Sequence, residues 1–248
     1  MNHLISIVTP SYKPVPEHIK AAYESIASQE LPQGWSWQWV VQEDGQTDDL
    51  ADMLPNDPRI SPGSGRRGGE CVARNLCLSR VEGDYVKNLD ADDMLAPGAL
   101  AREIDVLSNN PDIGWTTARV LDLLPDGSTV GFELDPSKGR LTRGTVFEHW
   151  RTHQYRAQVH PTTLCIRRNL VMALGGWMAL PASGDTGLLL AADAVSDGYF
   201  IAETGLFYRK WPGQATHHPS HTDTVEWPAR MRIIEARAEC LAELWAAR

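Results

Sequence analysis

GDYVKNLDADD, residues 83–93, ends a short apolar run in three closely spaced carboxylates, Asp90, Asp92 and Asp93. Like charges this near repel, so the cluster costs free energy unless a cation or a hydrogen-bonding ligand lies among them. The plainer reading is a solvated acidic turn that opens the next helix. The turn demands nothing of the rest of the chain. A ligand site demands that other polar clusters arrive at the same place.

Working outward, YVKNLD (85–90) reads as a strand, and its neighbours alternate with it in type. LISIVT (4–9) is a buried-strand pattern, broken by Pro14 and Pro16 before a helix over 16–29 that carries Ile19, Tyr23 and Ile26 on one face. WSWQWVVQ (35–42) is aromatic and β-branched, hence a strand, and EDGQTDD (43–49) reads as a turn. Helices are expected over 69–81 and over 97–108, the latter with Leu100, Ile104 and Leu107 on one side. Strands alternating with helices through short links give parallel strands joined by right-handed crossovers, a doubly wound α/β sheet. Such sheets bind ligands beyond the carboxyl ends of their strands. Thr9 to Tyr12, Glu43 to Asp44 and Asp90 to Asp93 each follow a strand end. Three polar clusters therefore converge on one edge, as a ligand site requires.

The second half is less regular. Strands are expected on either side of the Pro125-Asp126-Gly127 turn, a short helix at 142–150, and a strand at 159–168 running into a helix that ends at Gly175-Gly176. A helix follows over 184–198, then two strands, YFIAE and GLFYRKW, and a polar loop at 212–224. The tail, 226–247, sets Trp227, Met231, Ile234, Ala238, Leu241 and Trp245 along one helical stripe. That stripe must cover its own domain, the favoured reading, or pair with a second copy in a homodimer. The expected division is 1–215 for the binding and catalytic part and 216–248 for a mobile loop and C-terminal amphipathic helix.

Composition narrows the classes of function. The chain has 248 residues, 42% of them hydrophobic, enough for a full-sized core. A formal net charge of −9 argues against a nucleic-acid partner. No apolar run approaches the ~20 residues of a membrane span, and MNHLISIVTPSY lacks the flank of a secretory signal, so a cytoplasmic protein is expected. Cys71, Cys77, Cys165 and Cys240 form no CxxC pair, which argues against a zinc site or a disulfide framework.

The ordered series IVTPSYK (7–13), QEDGQTDD (42–49), GGECVARN (68–75), GDYVKNLDADD (83–93), GGW (175–177), GDTGLLL (184–190) and YRKW (208–211) resembles glycosyltransferase family 2, the inverting enzymes of GT-A fold. The resemblance covers about residues 4–215. It implies a hexosyltransferase-type enzyme that moves a sugar from a nucleoside-diphosphate donor, expected to be a UDP-sugar, to an acceptor hydroxyl on a small molecule or glycan. Thr9, Pro10 and Tyr12 would then line the donor site, with Tyr12 packed against the base. Asp44 would accept the base N3–H, Arg74 would make a second base contact, and Asp90 would reach the ribose or the metal. Asp92 would hold Mn²⁺ or Mg²⁺ on the diphosphate, since hard cations take oxygen ligands. Asp185 resembles the catalytic base, although the family's preceding Glu is Gly184 here. The alternative for Asp185 is a helix N-cap. Many relatives place a His after the YR pair; this chain has Trp211, with His217 and His218 farther on as possible metal ligands. His160, Trp177 and Trp211 are the candidates for the acceptor side. Two rival functions stay open: a sugar-nucleotide-binding protein impaired in catalysis, and a nucleotidyltransferase on a related fold.

Overall fold

The computed structural model describes residues 3–47, 49–132, 135–214 and 223–246. The elements run β1 (His3–Ser11), α1 (Pro16–Ala27), β2 (Trp35–Asp44), α2 (Asp49–Met53), β3 (Ile60–Gly65), α3 (Glu70–Leu78), β4 (Tyr85–Asn88), β5 (Met94–Leu95) and α4 (Ala99–Asn109). They continue with β6 (Ile113–Leu123), β7 (Thr129–Gly131), β8 (Gly139–Leu141), α5 (Thr145–Thr152), a 3₁₀ turn (Pro161–Thr163), β9 (Cys165–Arg167), α6 (Arg168–Ala173), α7 (Gly184–Val195), β10 (Asp197–Arg209) and α8 (Glu226–Ala246).

One sheet carries the molecule, in the order β3-β2-β1-β4-β9-β6-β10-β5, with β7 on β6 and β8 on β10. The doubly wound prediction holds for its first half, where β3, β2, β1 and β4 are all parallel. Beyond β4 the sheet is mixed. β9 runs antiparallel to both β4 and β6, whereas β10 is parallel to β6. Two apolar layers sandwich it. One gathers Ile19, Ile26, Leu100 and Ile104 from α1 and α4 with Trp39 and Ile7, and the other gathers α7 with Trp115, Trp150 and Trp177.

Several boundaries differ from expectation for physical reasons. Glu43 and Asp44 end β2 instead of opening a turn, because they pair with β3, ISPGSG, which its Pro and Gly content hides in the sequence. That strand lies at the edge of the sheet, where proline is tolerated. YFIAE and GLFYR belong to one strand, β10, whose register against β6 shifts between Ile201 and Leu206, and Lys210 and Trp211 lie beyond its end. The hairpin about Asp126 forms as expected.

α7 is apolar on nearly every side and buried from Gly187 to Val195, so it needs cover on the face turned away from the sheet. α8 supplies it. Met231, Ile234 and Ala238 are buried, and Leu241 and Trp245 pack against the same core. Most of the stripe therefore covers its own domain, while Trp227 at its start is 36% exposed and meets Tyr155 edge-on. Among the described residues no helix is long and apolar enough to cross a membrane.

Candidate active site

The carboxyl ends of β1, β2 and β4 open into a cleft of about 980 Å³, and β10, the 3₁₀ turn and the start of α7 close its far side. At one end stands Tyr12, 46% exposed, with the Arg67 guanidinium 4.4 Å from its ring centroid. This is cation–π geometry. Pro10 lines the cleft beside it, whereas Thr9 does not. Thr9 is fully buried, and its hydroxyl accepts the indole N–H of Trp39 at 2.8 Å. It is a packing residue beneath the cleft.

Asp44 is nearly buried at the end of β2. It accepts the backbone N–H of Gly68 at 2.6 Å and of Gly69 at 3.0 Å, which pins the loop leading into α3. Gly69, the N-cap of α3, has φ +91°, a conformation that glycine adopts without the strain a side chain would bring.

Arg74 corrects the sequence reading. It lies one turn into α3, 1% exposed, under the cleft floor and out of reach of a base. Its guanidinium bridges Asp90 and Asp185, the latter at 3.1 Å, with Glu70 at 3.5 Å. A cation built into the protein thus joins Asp90 to Asp185.

The three carboxylates of 90–93 have separate tasks. Asp90 pairs with Arg74 and faces the cleft. Asp92 also faces the cleft, and its Oδ2 accepts the Trp211 indole N–H at 2.6 Å. Burial, and then the nearby Asp90, raise the pKa of Asp92 above the usual carboxylate range. Asp93 is fully buried and braces β10 by accepting the Arg209 backbone N–H at 2.9 Å. Its pKa is pushed well up by burial and by Asp90 and Asp92. Trp211 therefore orients a carboxylate as well as lining the cleft, and its ring meets His18 edge-on at 4.8 Å.

Asp185 lines the cleft with its side chain 14% exposed. The N-cap of α7 is Ser183, so Asp185 is not the cap. Its Oδ1 accepts the Trp177 indole N–H at 2.8 Å and the Asn88 amide at 3.2 Å, while Oδ2 faces Arg74. Burial pushes its pKa up to about 7, against the lowering pull of Arg74. A Cβ on Gly184 would lie 2.1 Å from Cys71 Sγ, so the Cys71 side chain occupies the space a larger residue would need.

Trp177 is 2% exposed and holds Asp185; it does not line the acceptor side as expected. Asn75 clamps its backbone, donating to the Trp177 carbonyl at 2.7 Å and accepting its N–H at 2.9 Å. His160 does line the cleft, against Tyr208 at 5.1 Å. His217 and His218 lie outside the described residues. Asn88 and Tyr208 were missed by sequence reasoning. For Asn88 a signal existed, since it is the last residue of a strand that ends at the acidic cluster.

Among the described residues no three His, Cys, Asp or Glu side chains are grouped to hold a metal. Asp92, with Asp90 nearby on the same wall, still suits a hard cation that takes one or two carboxylates and fills its remaining sites from phosphates and water. The raised pKa of Asp92 fits that role, because a cation there would relieve both the desolvation and the repulsion.

The profile described as "Glycosyl transferase family 2" matches residues 6–163. TuaG of Bacillus subtilis (strain 168), named as a teichuronic acid biosynthesis glycosyltransferase, is 29% identical over 109 residues, covering 42% of each chain. Chondroitin synthase of Pasteurella multocida (strain Pm70) is 26% identical over 161 residues, covering 62% of this chain and 16% of that protein. The chain spans less than half the length of these curated relatives. Among solved structures, S. aureus TarS (residues 1–349), in complex with UDP-GlcNAc, superposes with a TM-score of 0.72 at 16% identity, covering 98% of this chain and 71% of that one. That likeness is one of fold.

Proposed function

This chain belongs to glycosyl transferase family 2, and from that premise we propose that it is a metal-dependent inverting transferase moving a sugar from a nucleoside-diphosphate donor, a UDP-sugar by preference, to an acceptor hydroxyl. The observation that carries the proposal is the placement of Asp185. A carboxylate with its pKa near 7 faces the same cleft as Asp90 and Asp92 and is fixed by Trp177, Asn88 and Arg74. The UDP-GlcNAc complex of TarS supports the choice of donor class.

In this reading the base stacks on Tyr12, whose exposed ring already carries the Arg67 guanidinium. Asp44 then offers acceptor lone pairs to the base N3–H from a carboxylate locked by Gly68 and Gly69. Asp92, with Asp90 beside it, would hold Mn²⁺ or Mg²⁺. When bound, that cation supplies Lewis-acid neutralisation of the departing diphosphate. Asp185 takes the proton from the acceptor hydroxyl as its oxygen bonds to the anomeric carbon and the bond to the nucleoside diphosphate breaks on the opposite face. One displacement inverts the anomeric centre. Residues 1–215 would contain the binding and catalytic machinery. A cytoplasmic location is proposed because the donor class is an activated intracellular metabolite.

A panel of UDP-, GDP- and TDP-sugars, scored by heat shift and by release of nucleoside diphosphate with and without Mn²⁺ or Mg²⁺, tests the reading. UDP-sugars should stabilise and turn over with metal; binding without turnover would favour a sensor, and formation of nucleoside triphosphate and sugar 1-phosphate on addition of pyrophosphate would favour a nucleotidyltransferase. Asp92→Ala should lose the metal-dependent part of UDP binding while its melting temperature without ligand stays close to wild type. Equal metal-dependent UDP affinity in variant and wild type would remove Asp92 from the metal site.

A further inference from the structure

Beyond Asp90 the cleft continues into a row of rings that the donor does not need. His160 sits between Tyr208, 5.1 Å away and tilted by 52°, and Phe132, 6.1 Å away and tilted by 45°. Tyr208 and His160 line the cleft, and Phe132 stands just outside it, 45% exposed. Phe132 follows β7, and Val130, two residues earlier on the same face of the hairpin, is 51% exposed. Lys210 lies 4.4 Å over the Tyr208 ring and is held at 3.2 Å by Asp122.

The polar atoms in this row suit a neutral ligand. His160 Nδ1 is sealed from solvent without a hydrogen-bond partner. The ring nevertheless lines the cleft, so Nε2 is the nitrogen a ligand can reach. Burial holds the imidazole pKa down at about 4, and the ring is uncharged at physiological pH. An uncharged imidazole exchanges hydrogen bonds with hydroxyls and does not select for anions. Two exposed apolar side chains are too few for a protein interface, which buries about 1,200 Å² or more. They match the C–H face of a sugar ring, which is apolar while its rim carries hydroxyls. Ligand sites of this kind combine apolar walls with a few placed polar groups.

We propose that Phe132, His160 and Tyr208 form an acceptor subsite for a pyranose ring, so that the acceptor is a glycoside or glycan and not a protein side chain. The proposal rests on the glycosyl-transfer reading and adds the class of acceptor to it. The ring would lie against Phe132 with a hydroxyl on His160 Nε2, and the next hydroxyl along the cleft would face Asp185.

The test is saturation-transfer NMR with methyl β-D-glucopyranoside and methyl 2-acetamido-2-deoxy-β-D-glucopyranoside in the presence of UDP, comparing wild type with Phe132→Ala and Phe132→Trp. UDP-induced heat shift is recorded on each protein. Wild type and Phe132→Trp should transfer saturation to the ring C–H protons of at least one glycoside. Phe132→Ala should bind that glycoside about three- to tenfold more weakly, the scale of a lost aromatic contact, with its UDP heat shift intact. The proposal is overturned if wild type gives no signal with either glycoside, if Phe132→Ala matches wild type, or if a serine- or threonine-containing peptide takes saturation that Phe132→Ala abolishes. A wild type without a UDP heat shift would defeat the donor reading, while the glycoside comparison would still decide the subsite.

Discussion

The two ends of helix α7 each carry an aspartate whose pKa burial raises to about 7, and they do different work. Asp185, in the first turn, faces the cleft and is held by side chains of Trp177, Asn88 and Arg74. Asp193, about two turns on, is fully buried and accepts the backbone N–H of Phe147 at 2.9 Å. Gly144 occupies the N-cap of α5 and has no side chain to give, so Asp193 caps that helix from across the core. Burial raises both groups, and the shift alone does not find the active site. The difference lies in what each carboxylate can still reach: Asp185 faces the open cleft, whereas Asp193 reaches only the first turn of α5.

The strongest way to break this contrast is Asp185→Asn. It should lower sugar transfer by about 10²–10⁴-fold, as for loss of a general base, while UDP affinity stays near wild type. Turnover close to wild type at saturating acceptor would move the base to another residue.

Asp193→Ala should leave transfer by the folded protein unchanged and cost about 1–2 kcal/mol of stability, the scale of a lost helix cap. The sign of the pH effect follows from the same group. Its native pKa near 7 lies above the ordinary 3.8, so between those values the native state keeps a proton that the unfolded chain releases. Stability therefore falls as pH rises through about 4 to 7. Asp193→Asn cannot titrate, and its melting temperature should depend less on pH across that window. A slope equal to that of wild type would place the titration elsewhere, with Asp185 the next candidate.

The same contrast explains what the sequence could and could not reveal. Tyr12, Asp44, Asp90 and Asp92 each end or follow a strand in chain order, so local pattern and the strand-end rule suffice to gather them. The opposite wall is assembled by long-range pairs: Trp211 with Asp92, Arg74 with Asp185, Trp177 with Asp185. No periodicity reports such pairs. Arg74 and Trp177 were therefore placed against ligands when they serve the carboxylates beneath. Gly- and Pro-rich β3 was missed because an edge strand tolerates residues that usually mark loops.

The subtlest effect belongs to Trp177. Its indole N–H donates to Asp185 Oδ1 and stabilises the ionised carboxylate. Phe keeps the ring in the core and deletes only the donor, leaving Asn88 on the same oxygen and Arg74 on the other. Asp185 then holds its proton more tightly, and because the base must be ionised, the acid limb of the pH–rate profile should move upward. A hydrogen bond to a charged group contributes about 1.5–3 kcal/mol, and Asn88 can absorb part of the loss, so a shift of about one pH unit is expected. Transfer by Trp177→Phe should drop several-fold at neutral pH and recover toward wild type in alkaline buffer, with the KM for donor unchanged. A purely structural role predicts instead an equal loss at every pH together with a lower melting temperature. An acid limb that stays in place would show that Trp177 packs beside the base without setting its protonation.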